Sequence, residues 1–416
     1  MEQEPIAIVG RGCVVPDAFD PETFWANIMA RRCSLSAYGG FVRDFDSCFD
    51  PGGFAVDADE IMRLDPLYRW VLHAARQALE ETGCATRPLP RAGLVLGNLS
   101  YPSVGLVAFA EQIWRAGHSP GHIDPRDRFS SGLPAHFAAR ALGLGAGAFA
   151  LDAACASALY AIKLASDQLR DRTADMMLAG AVSCPDRLLM HDAFAALTAV
   201  SPTGRCRPFH SAADGITPSE GAALVALMRL DDAISANMPI CGVLRAIGLS
   251  NDGRTGGLLV PAQEGQQRAM RLAYAAAGVP PQTVSLVECH ATGTPTGDAV
   301  EARSMAGVFA GSSDLPVGSV KSNVGHLLAA AGGAGLLKVL GAMRAGVRPA
   351  SLGADNPIEE FDHSPLRLLA DHEDWPGARR AAVSAFGFGG ANAHLIVDAW
   401  PPASDVRAVA SPQRPS

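Results

Sequence analysis

Short apolar runs alternate along the chain with stretches whose apolar positions recur at helical spacing, which predicts an α/β architecture. Ile6 to Val9, Ala92 to Leu96, Phe149 to Leu151, Met176 to Ala181 and Ala222 to Arg229 read as strands. Phe24 to Met29 and Asp65 to Glu81 read as helices, the second with Leu67, Trp70, Val71, Ala74, Ala75 and Ala78 on one face. A second round follows: strand Ile240 to Leu249, helix Gly265 to Ala277, strand Val284 to Glu288, helix Val300 to Phe309, then strands Pro316 to Ser319 and Ala381 to Ala385. The rounds meet near Asp232 to Pro239 and predict two similar halves, although sequence identity between them does not prove a repeat. The longest apolar stretch, Leu327 to Met343, is rich in Ala and Gly and contains Lys338; it predicts a buried helix, not a membrane span. Arg31 to Asp59 lacks periodicity, as functional or surface-packed loops do. Residues 401–416, rich in Pro, Ser and Ala, predict a disordered tail.

Composition narrows the class. A chain of 416 residues that is 48% hydrophobic and 18% charged has the balance of a globular enzyme with room for two cores. A net charge of −8 argues against a nucleic-acid partner but leaves room for a local basic patch. Nine cysteines, none in a CxxC pair, suggest neither a disulfide framework nor a zinc site, and fit a reducing cytoplasm. The N-terminus runs directly into PIAIVG, so no signal peptide is expected.

The candidate chemistry centres on Cys155, in LDAACASALYAIKLASDQL, between a predicted strand and a predicted helix. At such a turn the helix dipole and open backbone N–H groups favour thiolate, the nucleophilic form. A single cysteine is more often a small core hydrophobe; what changes the reading is the set of downstream motifs. LVECHATGTPTGDAVEA holds His290, GSVKSNVGHLLAAAGGAGLLKVL holds Lys321 and His326, and VSAFGFGGANAHLIV closes the series. His73, His136 and His191 read as structural or exposed, and His394 as structural. Cys289 is expected to point away from the His290 side. The glycines near Gly332 follow no phosphate-binding layout, so no nucleotide site is expected.

In this order the motifs resemble the β-ketoacyl synthase (ketosynthase) family of the thiolase-like superfamily, over about residues 4–400. The wording is closest to polyketide synthase ketosynthases, leaning towards iterative enzymes of the polyunsaturated-fatty-acid and enediyne type. The resemblance implies an α/β thiolase-like fold, two related halves (1–236 and 237–400) stacked in five layers αβαβα. It implies a decarboxylating Claisen condensation of an acyl thioester with a malonyl-carrier protein through an acyl-Cys155 intermediate. By the same analogy the backbone amides of Cys155 and Phe388 form the oxyanion hole. His290 and His326 donate to the thioester oxygen as carbon dioxide leaves, each with its tautomer fixed by a partner on the other nitrogen. Lys321 supports that network with Glu301 as its partner, and Thr292 and Thr294 bind the phosphopantetheine arm. Gly387, Phe388, Gly389 and Gly390 form a loop in which Phe388 is the gate. No metal and no intrinsic cofactor are implied; substrates arrive on the phosphopantetheine of an acyl carrier protein.

The expected partners are that acidic carrier, received near Arg205, Arg207 and Arg254, and a second copy meeting the first near Phe149 to Ala154; no membrane partner is expected. Val104, Leu106, Leu133 and Phe137 are candidate linings of the acyl pocket. The chain departs from modular relatives at Ala156, Ser157 and Ala158, where serines are common, at Ala291, where glycine is usual, and at Ser219 before Glu220; these bear on substrate choice. Two alternatives share the motifs: transfer of the acyl group to an oxygen or nitrogen acceptor, and a non-elongating partner subunit, whose kind lacks the cysteine.

Overall fold

The computed structural model describes residues 3–85, 88–99, 101–117, 124–254, 257 and 259–401; residues 402–416 of the predicted tail lie outside this set. Its strands are β1 (Ile6–Val14), β2 (Ala92–Asn98), β3 (Ala148–Leu151), β4 (Met176–Ser183), β5 (Gly221–Arg229), β6 (Gly242–Asn251) and β7 (Leu286–Glu288). They continue with β8 (Leu315–Gly318), β9 (Val347–Arg348), β10 (Leu366–Leu368), β11 (Glu373–Asp374), β12 (Arg380–Gly387) and β13 (Ala391–Asp398).

Neighbouring side chains on these strands go to different cores, as the pleat requires. On β1, Ile6 and Ile8 face one core while Ala7 and Val9 face another. On β5, Ala223, Val225 and Leu227 share the first core and Ala222, Leu224 and Ala226 the second. On β12, Ala381, Val383 and Ala385 return to the first core, whereas Ala382 and Phe386 face a third. The shared core surrounds the helices Ser157–Arg170 and Ala331–Ala345. The second lies under Pro66–Glu81 and Leu133–Ala141, and the third under Gln263–Ala277 and Pro295–Val308. The layers therefore run helix, sheet, helix, sheet, helix.

Strand order reveals the repeat that the amino acids conceal. One half runs β3-β2-β4-β5-β1 and the other β8-β7-β12-β13-β6. In the first, β2 is parallel to β3 and β4, and β5 is antiparallel to β4 and β1. In the second, β7 is parallel to β8 and β12, and β13 is antiparallel to β12 and β6. The halves join edge to edge where β1 pairs antiparallel with β6, Ile6 opposite Leu244. β10 extends the β8 edge in parallel, and β9 and β11 form a separate ribbon.

The predicted elements recur with shifts of a few residues at their ends. Six α-helices among the described residues escaped the sequence reading: three of six residues or fewer, Ala58–Met62, Leu230–Ser235 and Lys321–Val324, and three longer ones, Val104–Ala116, Leu133–Ala141 and Arg187–Ala196. Of the longer three, the first exposes Val104, Ile113 and Trp114, and the third Leu188 and Leu189, so neither shows a single buried stripe. The apolar window Leu328–Ala345, long enough to cross a membrane, is 89% buried in the central layer. The loop from Arg31 to Asp59 is mostly irregular and packs Val42, Phe45, Phe49 and Val56 into the second core.

Candidate active site

Cys155 follows β3 across a short turn and precedes the central helix Ser157–Arg170. Ala154 adopts φ 50°, a left-handed conformation that aims the next side chain off the strand end. The Ser157 hydroxyl braces this turn, accepting from Ala153 N at 2.9 Å and donating to Ala154 O at 2.6 Å. Gly387, at the end of β12, packs against the same turn. A Cβ there would lie 2.7 Å from Ala153 O and 3.2 Å from Cys155 N, so only glycine fits.

His326 Nε2 lies 3.1 Å from Cys155 Sγ. Leu328 N donates to His326 Nδ1 at 3.3 Å, so the ring proton sits on Nε2 and faces the sulfur. The rings of His290 and His326 meet edge to face at 5.4 Å. Ligand-capable atoms of Cys155, His290 and His326 all fall within 4.8 Å of one another. They would also serve as a soft-metal donor set, one sulfur and two imidazoles.

Burial holds both imidazoles well below their ordinary pKa, and the Lys321 charge pushes the same way. They are neutral donors at neutral pH. The expected fixing partner exists for His326 only: His290 Nδ1 is buried with no hydrogen bond among the described residues. For Cys155, burial pushes the thiol up to about 11, against the pull of Lys321 and of the Phe388 and Cys155 N–H groups. Desolvation of the buried sulfur thus opposes the thiolate preference expected from the helix terminus.

Lys321 is buried on the short helix Lys321–Val324. Its expected pairing with Glu301 is not present: no ion pair joins them among the described residues. Glu301 instead accepts from His290 N at 2.7 Å and Ala291 N at 2.6 Å, which fixes the backbone that carries His290. Burial raises its carboxyl to about 8, against those two N–H groups and the Lys321 charge. Thr292 and Thr294 place their hydroxyls 3.0 Å apart on the wall of the cavity. Thr294 is the N-cap of Pro295–Val308, yet its hydroxyl makes no capping bond and stays on the cavity side. Cys289 points away into the third core, as expected, with its sulfur 3.6 Å from Met305 Sδ. His394 is structural, between Ser384 Oγ at 2.9 Å and Tyr274 OH at 3.1 Å.

A cavity of about 320 Å³ holds Cys155, both histidines and both threonines, together with Gly387 and Phe388. Phe388 is 39% exposed, and its ring meets Phe194 at 6.1 Å, which in turn stacks on Tyr101 at 6.2 Å. Of the proposed acyl-pocket residues, Val104, Leu106, Leu133 and Phe137, none borders this cavity. Phe137 is instead buried against Tyr68 in the second core, and Val104 is exposed. Arg205 and Arg254 are exposed, while Arg207 donates to Ala212 O.

Several contributors escaped the sequence reading. Asp298, fully buried and raised to about 6 by desolvation, accepts from Phe209 N, Thr292 N and Gly293 N and so sets the threonine loop. Its one signal was its place in the first turn of a helix. Glu288 pairs with Lys338 at 2.7 Å in the central layer and accepts from Val320 N, immediately before Lys321. Asp252 accepts from Asn392 Nδ2 at 2.6 Å beside the Gly390 loop.

Comparison with known proteins agrees with this geometry. The family described as "Beta-ketoacyl synthase, N-terminal domain" matches residues 3–233, its C-terminal domain matches 241–355, and the "Ketoacyl-synthetase C-terminal extension" matches 355–415. Mycoketide-CoA synthase of Mycobacterium tuberculosis is 34% identical over 96% of this chain and 10% of its own length. Pikromycin polyketide synthase component PikAIII of Streptomyces venezuelae is 33% identical over 98% of this chain and 28% of its own. The chain thus spans about a tenth to a quarter of the length of these curated relatives. Among solved structures, the PfaC keto synthase–chain length factor superposes with TM-score 0.89 at 34% identity, over 95% of this chain and 48% of that one. The ketosynthase from module 6 of the bacillaene synthase of Bacillus subtilis 168 gives 0.84 at 31% identity, over 96% and 72%. The motifs, the thiolase-like fold and these matches together make the chain a member of the β-ketoacyl synthase family, similar to the ketosynthase domains of polyketide synthases.

Proposed function

We propose that the chain forms carbon–carbon bonds by decarboxylative condensation of carrier-bound thioesters. The observation that carries this reading is the convergence of one thiol and two neutral imidazoles within 4.8 Å. In the first half-reaction Cys155 Sγ attacks the acyl carbonyl carbon, and the oxyanion is received by the N–H groups of Cys155 and Phe388. The C–S bond to the carrier arm breaks, and the departing thiolate takes the proton that Cys155 gave up. In the second, the bond between the malonyl α-carbon and its carboxylate breaks and carbon dioxide leaves. The electron pair passes into an enolate whose oxygen accepts from His290 and His326. The α-carbon then attacks the acyl-Cys155 carbonyl, the C–S bond breaks, a β-keto thioester remains on the carrier, and the released Cys155 thiolate takes a proton from water to restore the thiol. Neutral imidazoles suit this role because they donate without needing to gain a proton.

The same reading takes Lys321 as the local field, Glu301 as the clamp of the His290 loop, Thr292 and Thr294 as contacts for the phosphopantetheine arm, and Phe388 as the gate. It takes the two halves as residues 1–236 and 237–400, an acyl carrier protein as partner, a homodimer as the assembly and the cytoplasm as the compartment. The nine free cysteines fit that compartment. The iterative, polyunsaturated-fatty-acid-like leaning rests on sequence wording and on the likeness to the PfaC keto synthase–chain length factor.

Intact-protein mass after incubation with acyl-loaded carriers, with and without malonyl-carrier, tests the proposal. An adduct on Cys155 that disappears with malonyl-carrier and yields a β-keto product is the expected result. Cys155→Ala should lose the adduct and keep malonyl decarboxylation. An adduct that persists beside malonyl-carrier would turn the reading towards an oxygen or nitrogen acceptor.

A further inference from the structure

Gln266 lies in the first turn of the helix Gln263–Ala277 and is 1% exposed. It lines the cavity that holds Cys155, Thr292 and Thr294. Its Oε1 is buried and meets no hydrogen-bond partner among the described residues. Polar groups beside the neighbouring Gly265 are already engaged. Asp252 accepts from Asn392 Nδ2 at 2.6 Å and from Ala262 N at 3.1 Å, and the Ser250 hydroxyl donates to Gly265 O at 2.6 Å. Buried side-chain polar atoms are nearly always satisfied, so an unpartnered one in a cavity-lining residue points to what enters the cavity.

We propose that Gln266 is a substrate-contacting residue whose side-chain amide pairs with an amide of the pantetheine arm. The proposal rests on the carrier-thioester reading above. An open acceptor needs a donor. The malonyl carboxylate, the ketone and the thioester carbonyl offer only acceptors, whereas each amide of the arm offers an N–H. Half a turn about the last side-chain torsion exchanges the oxygen and nitrogen of Gln266. An amide partner satisfies either setting, and a carboxylate satisfies only one. Gln266 then complements the two threonine hydroxyls in reading the arm, held between the threonine loop and the helix Gln263–Ala277.

The test follows acylation of Cys155 by mass with three acyl thioesters: of pantetheine, of N-acetylcysteamine, and of ethanethiol, which has no amide. Gln266→Met should lower kcat/KM for the pantetheine thioester about tenfold, the effect of one lost hydrogen bond. The loss should fall chiefly on KM and shrink towards none with the ethanethiol thioester. Because Oε1 has no partner in the free protein, the same substitution should not lower Tm. A pantetheine thioester N-methylated at its amides should lose a similar factor on the wild-type enzyme, which tests the contact without any substitution. An equal loss on all three thioesters, a lowered Tm, or indifference to N-methylation would overturn the proposal. No adduct on the wild-type enzyme from any thioester would instead bring down the condensation reading beneath it.

Discussion

Cys155 is held between opposing influences, and their balance sets its reactivity. Two backbone N–H groups and the Lys321 charge favour the thiolate, but burial dominates and leaves the thiol near 11. A group with a raised pKa gains its reactive form only as pH climbs towards that value. Alkylation of Cys155 by iodoacetamide should therefore accelerate about tenfold per pH unit between pH 7 and 9, as the thiolate fraction does. A rate already level at pH 7 would mean that the N–H donors and the Lys321 charge outweigh burial. His290 and His326, both held well below the ordinary imidazole value, stay neutral through pH 6.5 and above, so malonyl decarboxylation by Cys155→Ala should show no step near pH 6.5. Gly387 tests the turn itself. Gly387→Ala puts a methyl 2.7 Å from Ala153 O, so it should cost about 1–3 kcal/mol and suppress acylation out of proportion to that loss. A variant that acylates normally would show that the turn yields.

Helices and strands carry these residues into register, and here sequence and structure part company. The Cys155 turn was legible because a strand-type run and a helix period fall within one short stretch, whereas the positive φ of Ala154 between them, on a residue without that preference, was not. The buried central helix was legible from its unbroken apolar run despite Lys338. What pairs with Lys338 was not, because Glu288 lies fifty residues away and reaches it only through the strand order. The roles of Glu301 and Asp298 were misread or missed for the same reason: their partners are backbone N–H groups, which a sequence does not display. The Glu288–Lys338 pair is almost wholly buried, 3% and 2% exposed, and spans β7, the central helix and the turn before Lys321. Lys338→Met alone leaves a buried carboxylate without its cation and should cost about 3–5 kcal/mol in denaturant unfolding. Adding Glu288→Gln should recover most of the loss, since the amide oxygen can still accept from Val320 N. A single variant as stable as the wild type would show that the pair carries no such weight.

On the side of Cys155 the sheet ends, among the described residues, in an unpaired edge. β3 is the last strand of its half, its four residues are only half-buried, and the sulfur follows a few residues later. Exposed strand edges invite pairing with another chain unless something covers them. Trp114 at 91% exposure and Phe129 at 63% add large apolar surface in the segment between β2 and β3. A homodimer joined along β3 would cover the edge and tie the nucleophile turn to the partner. The direction of the edge is testable. Leu94 N donates to Gly147 O at 3.1 Å, and strand alternation then turns the N–H groups of Phe149 and Leu151 towards β2 and those of Ala148 and Ala150 outward. Ala150→Pro removes an outward N–H and leaves the bonds to β2 in place, the setting in which an edge strand tolerates proline. Light scattering should give twice the 43.2 kDa chain mass for the wild type and the single mass for the variant. The monomer should also acylate more slowly, since the turn at Cys155 loses its neighbour. A variant that stays dimeric would move the interface away from β3, and a monomeric wild type would leave the edge to some other partner.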